Sequence, residues 1–126
     1  MKEQFVPYEI ALKLKELGFD EECLAHYRYN SNMTKPDLIN IGGITPNKSF
    51  LDKLKGFENE SLVLAPLWQQ VIDWFRTNCN RNVIINTVDW ETWFFVVNSV
   101  VNINRYSNYE EAREQAILKV ITLISK

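Results

Sequence analysis

The chain has 126 residues, 46% of them hydrophobic and 13% aromatic, which supports one folded domain with its own apolar core and excludes a chain disordered along most of its length. The formal net charge is −2 and no basic run occurs. That argues against a direct nucleic-acid partner, because neutralising phosphates supplies most of the affinity of such binders.

No segment approaches the roughly 18 uninterrupted apolar residues of a membrane span. The start, Met1-Lys2-Glu3-Gln4-Phe5-Val6-Pro7, lacks the apolar core of a signal peptide. The expectation is a cytoplasmic protein without membrane attachment. In a reducing compartment Cys23 and Cys79 stay free thiols. With His26 they make three ligands with no metal-binding spacing, so no metal and no cofactor is expected.

The first helix is predicted from Pro7 to Leu17. Proline suits the first helical position, where its missing N–H would have had no partner. Val6, Ile10, Leu14 and Leu17 form one apolar stripe, with Ala11 at its edge. Gly18 then takes the left-handed cap, and Phe19 folds back on the helix end. Cys23 to Tyr29 reads as a strand with Cys23, Ala25, Tyr27 and Tyr29 on its inner face and Leu24, His26 and Arg28 on the other. Residues 30–61 form a loop-rich segment. Asn30-Ser31-Asn32, Gly42-Gly43 and Thr45-Pro46-Asn47 carry turn chemistry there. Within it, Leu38-Ile39-Asn40-Ile41 is placed to pair with the preceding strand, and Ser49 to Leu54 to make one or two helical turns. Val63-Leu64 adds a short strand.

The best-signalled element follows, a helix from Pro66 to Asn78. At about 100° per residue, Leu67, Trp68, Val71, Ile72, Trp74 and Phe75 share one arc, opposite Gln69, Gln70, Asp73 and Arg76. Two strands come next, Asn82 to Val88 and Thr92 to Val101, joined as a hairpin by Asp89-Trp90-Glu91. The second run is apolar on both faces, the mark of a central strand covered on both sides or covered by a partner subunit. The last helix opens at a capping box, Ser107 with Glu110. It turns Ala112, Ala116, Ile117, Val120, Ile121, Leu123 and Ile124 to the core. These elements predict an α+β domain over 1–126, an antiparallel sheet of three to five strands with three main helices packed on it.

Val6-Pro7-Tyr8-Glu9, the run Leu14 to Asp20, the block Ala65-Pro66-Leu67-Trp68-Gln69-Gln70-Val71 with Trp74-Phe75-Arg76, and Tyr109-Glu110-Glu111-Ala112 carry a resemblance. Together they resemble a group of small proteins from gut-bacterial genomes and their prophages, for which no activity is established. The resemblance implies mobile-element gene content and brings no catalytic residue, cofactor or partner with it.

Chemistry is sparse. His26 has no orienting carboxylate or nucleophile beside it in sequence, and Cys23 falls on the opposite strand face. Cys79 sits near a helix C-terminus, where the dipole raises a thiol pKa. Asp20-Glu21-Glu22 and Glu110-Glu111 lack a calcium-loop pattern, and Gly42-Gly43 lacks phosphate-loop spacing. Trp90 differs, because a large ring at a hairpin tip is costly to leave in water. Trp90, Trp93 and Phe94 therefore form the candidate interaction surface, and the leading expectation is a non-catalytic module that binds another protein or itself. An alternative is a small-molecule pocket under the 30–61 loop, with Tyr27, Tyr29, Gln69 or Arg76 as polar contacts. An enzyme of unrecognised type is the third reading, disfavoured by the missing catalytic constellations.

Overall fold

The computed structural model describes residues 4–30, 32–39 and 61–125. The expected helical turns at Ser49 to Leu54 and the Gly42-Gly43 turn lie outside the described residues. The chain packs as two compact units, Met1–Trp68 and Gln69–Lys126. The α+β class is observed, and its strands form two three-stranded antiparallel sheets rather than one.

The first unit begins with α1 (Tyr8–Glu16), which buries Ile10, Ala11 and Leu14. Pro7 caps this helix instead of opening it, with an extended backbone (φ −66°, ψ 162°) and a carbonyl that accepts from Ala11 N–H at 3.0 Å. At the other end Gly18 adopts φ 94°. Its N–H donates to the Lys15 carbonyl and the Phe19 N–H to the Leu14 carbonyl, the paired bonds of a Schellman cap. Phe19 is thereby folded into the core at 3% exposure.

Three strands complete this unit: β1 (Ala25–Tyr29), β2 (Asp37–Ile39) and β3 (Ser61–Ala65). The central strand is β1. It pairs with β2 from His26–Ile39 to Arg28–Asp37, and with β3 from Ala25–Ala65 to Tyr29–Ser61. The helix α1 packs on β3. Cys23, Ala25 and Tyr27 are buried as the strand pattern requires, but so is His26, expected on the outer face. Its strand is central, so a side chain on either face meets neighbours on both sides, at Leu64 and Ile39.

The second helix, α2 (Trp68–Asn78), starts in the first unit and continues into the second. Trp68, Val71, Trp74 and Phe75 are buried, while Gln69 and Arg76 are exposed, so the apolar arc is the buried one. Beyond its end Asn80 turns left-handed (φ 54°), and the Arg81 N–H returns to the Phe75 carbonyl at 3.0 Å.

The second unit holds β4 (Val83–Thr87), β5 (Trp93–Val97), β6 (Val100–Val101) and α3 (Tyr109–Ile124), with α3 packed on β5 and β4. The long second strand expected through Val101 is broken. Asn98 (φ 49°) and Ser99 (φ 71°) form a two-residue turn with both central residues at positive φ, as a type I′ hairpin demands. The side chain of Asn98 clamps it: Oδ1 accepts from Asn82 N–H at 2.6 Å and Nδ2 donates to the Asn80 carbonyl at 3.1 Å. Because of that turn β5 is central, between β4 and β6. Phe95 and Val97 are buried, and Phe94 and Val96 half-buried.

After β6 the Asn102 N–H still donates to the Phe95 carbonyl at 3.0 Å, the chain then loops out over residues 103–105, and it rejoins β5 at Tyr106, which exchanges two backbone bonds with Trp93 at 2.8 and 2.9 Å. The cap of α3 is Asn108, not Ser107. Asn108 is extended (φ −150°), and its side chain accepts from Glu111 N–H at 2.8 Å. The register shifts by one because the helix begins at Tyr109, so Glu111 rather than Glu110 occupies the third position. Ala112, Ala116, Ile117, Val120 and Ile121 are buried, and Leu123 is not.

Candidate functional site

The hairpin tip between β4 and β5 is built by short polar side chains. Asp89 Oδ1 accepts from Glu91 N–H at 3.0 Å and Thr92 N–H at 2.7 Å. Thr87 Oγ1 donates to the Thr92 carbonyl and accepts from Trp90 N–H, both at 2.8 Å. The bonds from Glu91 and Thr92 hold the Asp89 carboxyl below the usual carboxylate range, so it is charged at neutral pH. This frame holds Trp90 at φ 68°, a left-handed conformation that a bulky residue resists. The ring is 81% exposed.

From that tip an aromatic row runs toward α3. Trp90 meets Trp93 edge-on at 6.4 Å, and Trp93 meets Tyr109 edge-on at 5.5 Å. The guanidinium of Arg113 lies over the Tyr109 ring at 5.5 Å. Of the three residues expected to share a surface, Trp90 and Trp93 come together. Phe94 does not join them: strand alternation sends it to the opposite sheet face, under the Arg105 guanidinium at 5.1 Å.

A second feature lies at the other end of β5. A cavity of about 440 Å³ is bounded by the sheet, the 103–105 loop and α3. Phe95, Val97 and Val100 line it from the sheet, Ile103 from the loop and Leu123 from α3, with the cations of Arg81 and Lys119 beside them. A shallower recess of about 340 Å³, lined in part by Asn104, Tyr106 and Gln115, shares Phe95, Asn102 and Lys119 with it. Nothing in the sequence patterning located this cavity. The signal was the Asn98-Ser99 turn between two Val-Val pairs, which ends one strand and starts another.

The remaining candidates are committed locally. Tyr27 donates its hydroxyl to the Val6 carbonyl at 2.5 Å, and its pKa is raised by burial and then by Glu9. Tyr29 stacks edge-on against Tyr8 at 5.7 Å. Gln69 and Arg76 both bond Asp73 on the exposed side of α2. The expected pocket under the 30–61 loop lies largely outside the described residues. Burial lowers the His26 pKa, which favours the neutral imidazole. The Cys23 thiol is buried and donates to the Glu21 carbonyl. Burial pushes the Cys79 thiol up, against an opposing pull from Arg81, so it is a weak nucleophile at neutral pH. Among the described residues no three His, Cys, Asp or Glu side chains gather to hold a metal ion. No described helix is long and apolar enough to cross a membrane. No family model, no curated protein and no solved structure matches the chain.

Proposed function

We propose that the protein is a non-catalytic interaction module, of mobile-element origin as its sequence resemblance suggests, that engages a protein partner through the Trp90 tip. The observation that carries this reading is the pairing of strain with exposure at one residue. A left-handed non-glycine backbone costs about 1–2 kcal/mol, and an indole left in water forfeits its burial. Strained backbone that the surrounding hydrogen bonds over-determine clusters at sites of function. Tryptophan is also among the residues that dominate binding hot spots. Asp89 and Glu91 flank Trp90 in the sequence, so the complementary partner presents an apolar pocket with a basic rim.

Trp90→Ser is the test, read by light scattering across a concentration series and by affinity capture from the producing cell. Loss of self-association or of a captured partner, with the thermal stability within about 1 kcal/mol of wild type, supports the module. Unchanged association in the variant, or a large loss of stability, overturns it.

A further inference from the structure

The cavity beside α3 has a composition that general surface chemistry does not account for. Eight large apolar side chains are exposed among the described residues, and four of them, Val100, Val101, Ile103 and Leu123, line this one cavity. Ile103 stands 88% exposed at its mouth. An apolar cluster of this kind, open on one side, gains burial only when something fills it. A volume of about 440 Å³ lies in the range of small-molecule sites.

The polar part of the lining has one sign of charge. Arg81 and Lys119 supply two cations, Asn98 and Asn102 are neutral, and no Asp or Glu lines the cavity. Arg81 Nε is buried and has no hydrogen-bond partner among the described residues. A buried donor left unpaired is costly, so the Arg81 side chain gains by turning toward an acceptor that enters the cavity it lines. Asn98, by contrast, is spent on its clamp to Asn80 and Asn82. The α3 glutamates lie at residues 110, 111 and 114, toward the opposite helix end, and Lys119 has no ion pair among the described residues.

We propose that this cavity binds a small amphiphilic carboxylate, its aliphatic or aromatic body against Phe95, Val97 and Leu123 and its carboxylate on Arg81 and Lys119. Guanidinium and ammonium donors favour an anionic acceptor over a neutral one, because charge-assisted bonds are about twice as strong. Ile103 closes over the body of the ligand as the mouth desolvates. The site is independent of the Trp90 surface: the tip precedes β5 and the cavity lies at its far end, a strand length of roughly 13 Å away.

The experiment is a calorimetric titration of the full chain with decanoate, decanol and decylammonium. Decanoate is expected to bind tightest and decylammonium weakest. Arg81→Met and Lys119→Met should each weaken decanoate about tenfold, the loss of one charge-assisted bond, and leave decanol unchanged. Should Arg81→Met fail to fold, Lys119→Met carries the test, since Lys119 is an exposed helix residue. Leu123→Trp, which fills the mouth, should abolish binding of both decanoate and decanol, whereas Trp90→Ser should change neither. Decylammonium binding as well as decanoate, decanoate failing to bind, or indifference to both charge substitutions overturns the proposal.

Discussion

Single residues in this protein hold conformations their chemistry resists, and each gives a measurable consequence. Ser99 occupies the second position of the β5–β6 turn at φ 71° without the freedom of glycine. Ser99→Gly relieves left-handed strain of about 1–2 kcal/mol but adds unfolded-state entropy of about 0.5–1 kcal/mol. The net expectation is a gain of up to about 1 kcal/mol in denaturant unfolding, with no change of fold. His26 acts through protonation. Burial lowers its folded pKa, so below its unfolded value the unfolded chain binds more protons than the native one. Its contribution to stability is whole above about pH 6.5 and falls as the pH drops from there toward the lowered folded pKa, by at most about 1.4 kcal/mol per pH unit. Urea unfolding at successive pH values should show that slope, and His26→Gln should flatten it.

Elements were legible where periodicity and caps agreed. The stripe of α1, its stop at Gly18 and Phe19, and the buried arc of α2 all follow from side-chain spacing and one positive φ. The pairing of β1 with β2 is local and was equally legible, whereas the pairing of β1 with β3 joins distant segments and no local pattern announced it. Legibility failed where two neighbouring residues competed for one role. Ser107 and Asn108 both suit a helix cap, and only the chain's approach angle favours Asn108. Its side-chain bond to Glu111 N–H is the one that counts. Asn108→Ala should therefore cost about 1 kcal/mol in thermal or chemical unfolding, and Ser107→Ala far less. Asn98-Ser99 was unreadable for a related reason: flanked by valines, it continues an apolar alternation that masks a turn. Trp90 and Trp93 lie at a hairpin tip by simple strand counting. Phe94 lies on the opposite sheet face, as the alternation of adjacent strand residues requires.

For the whole molecule, the low net charge and the clustered apolar exposure act together. The isoelectric point is about 5.4. Near that pH, repulsion between copies vanishes, and Trp90 and Ile103 are left to attract. Static light scattering should show a more attractive second virial coefficient at pH 5.4 than at pH 8, and Ile103→Ser should weaken the attraction without loss of stability. The cavity lay beyond sequence reading because its walls are brought together by a break in one strand and an outward loop, neither of which has a period.

The two-residue length of β6 limits how the sheet of the second unit can grow. A sheet with unpaired backbone on both margins can add strands at either side and grow without end. Here the margin beyond β5 is interrupted: after Val100, Val101 and one further bond from Asn102 N–H to the Phe95 carbonyl the chain leaves β5, and it pairs again at Tyr106. In the second unit the other margin is β4, whose alternate residues Val83 and Ile85 turn their backbone groups outward while the Thr87 N–H is taken by Asn86 Oδ1. Two copies joined there, antiparallel about a two-fold axis, would each use up that single margin. Such pairing terminates at the dimer, so a short strand protects the sheet from fibrous growth.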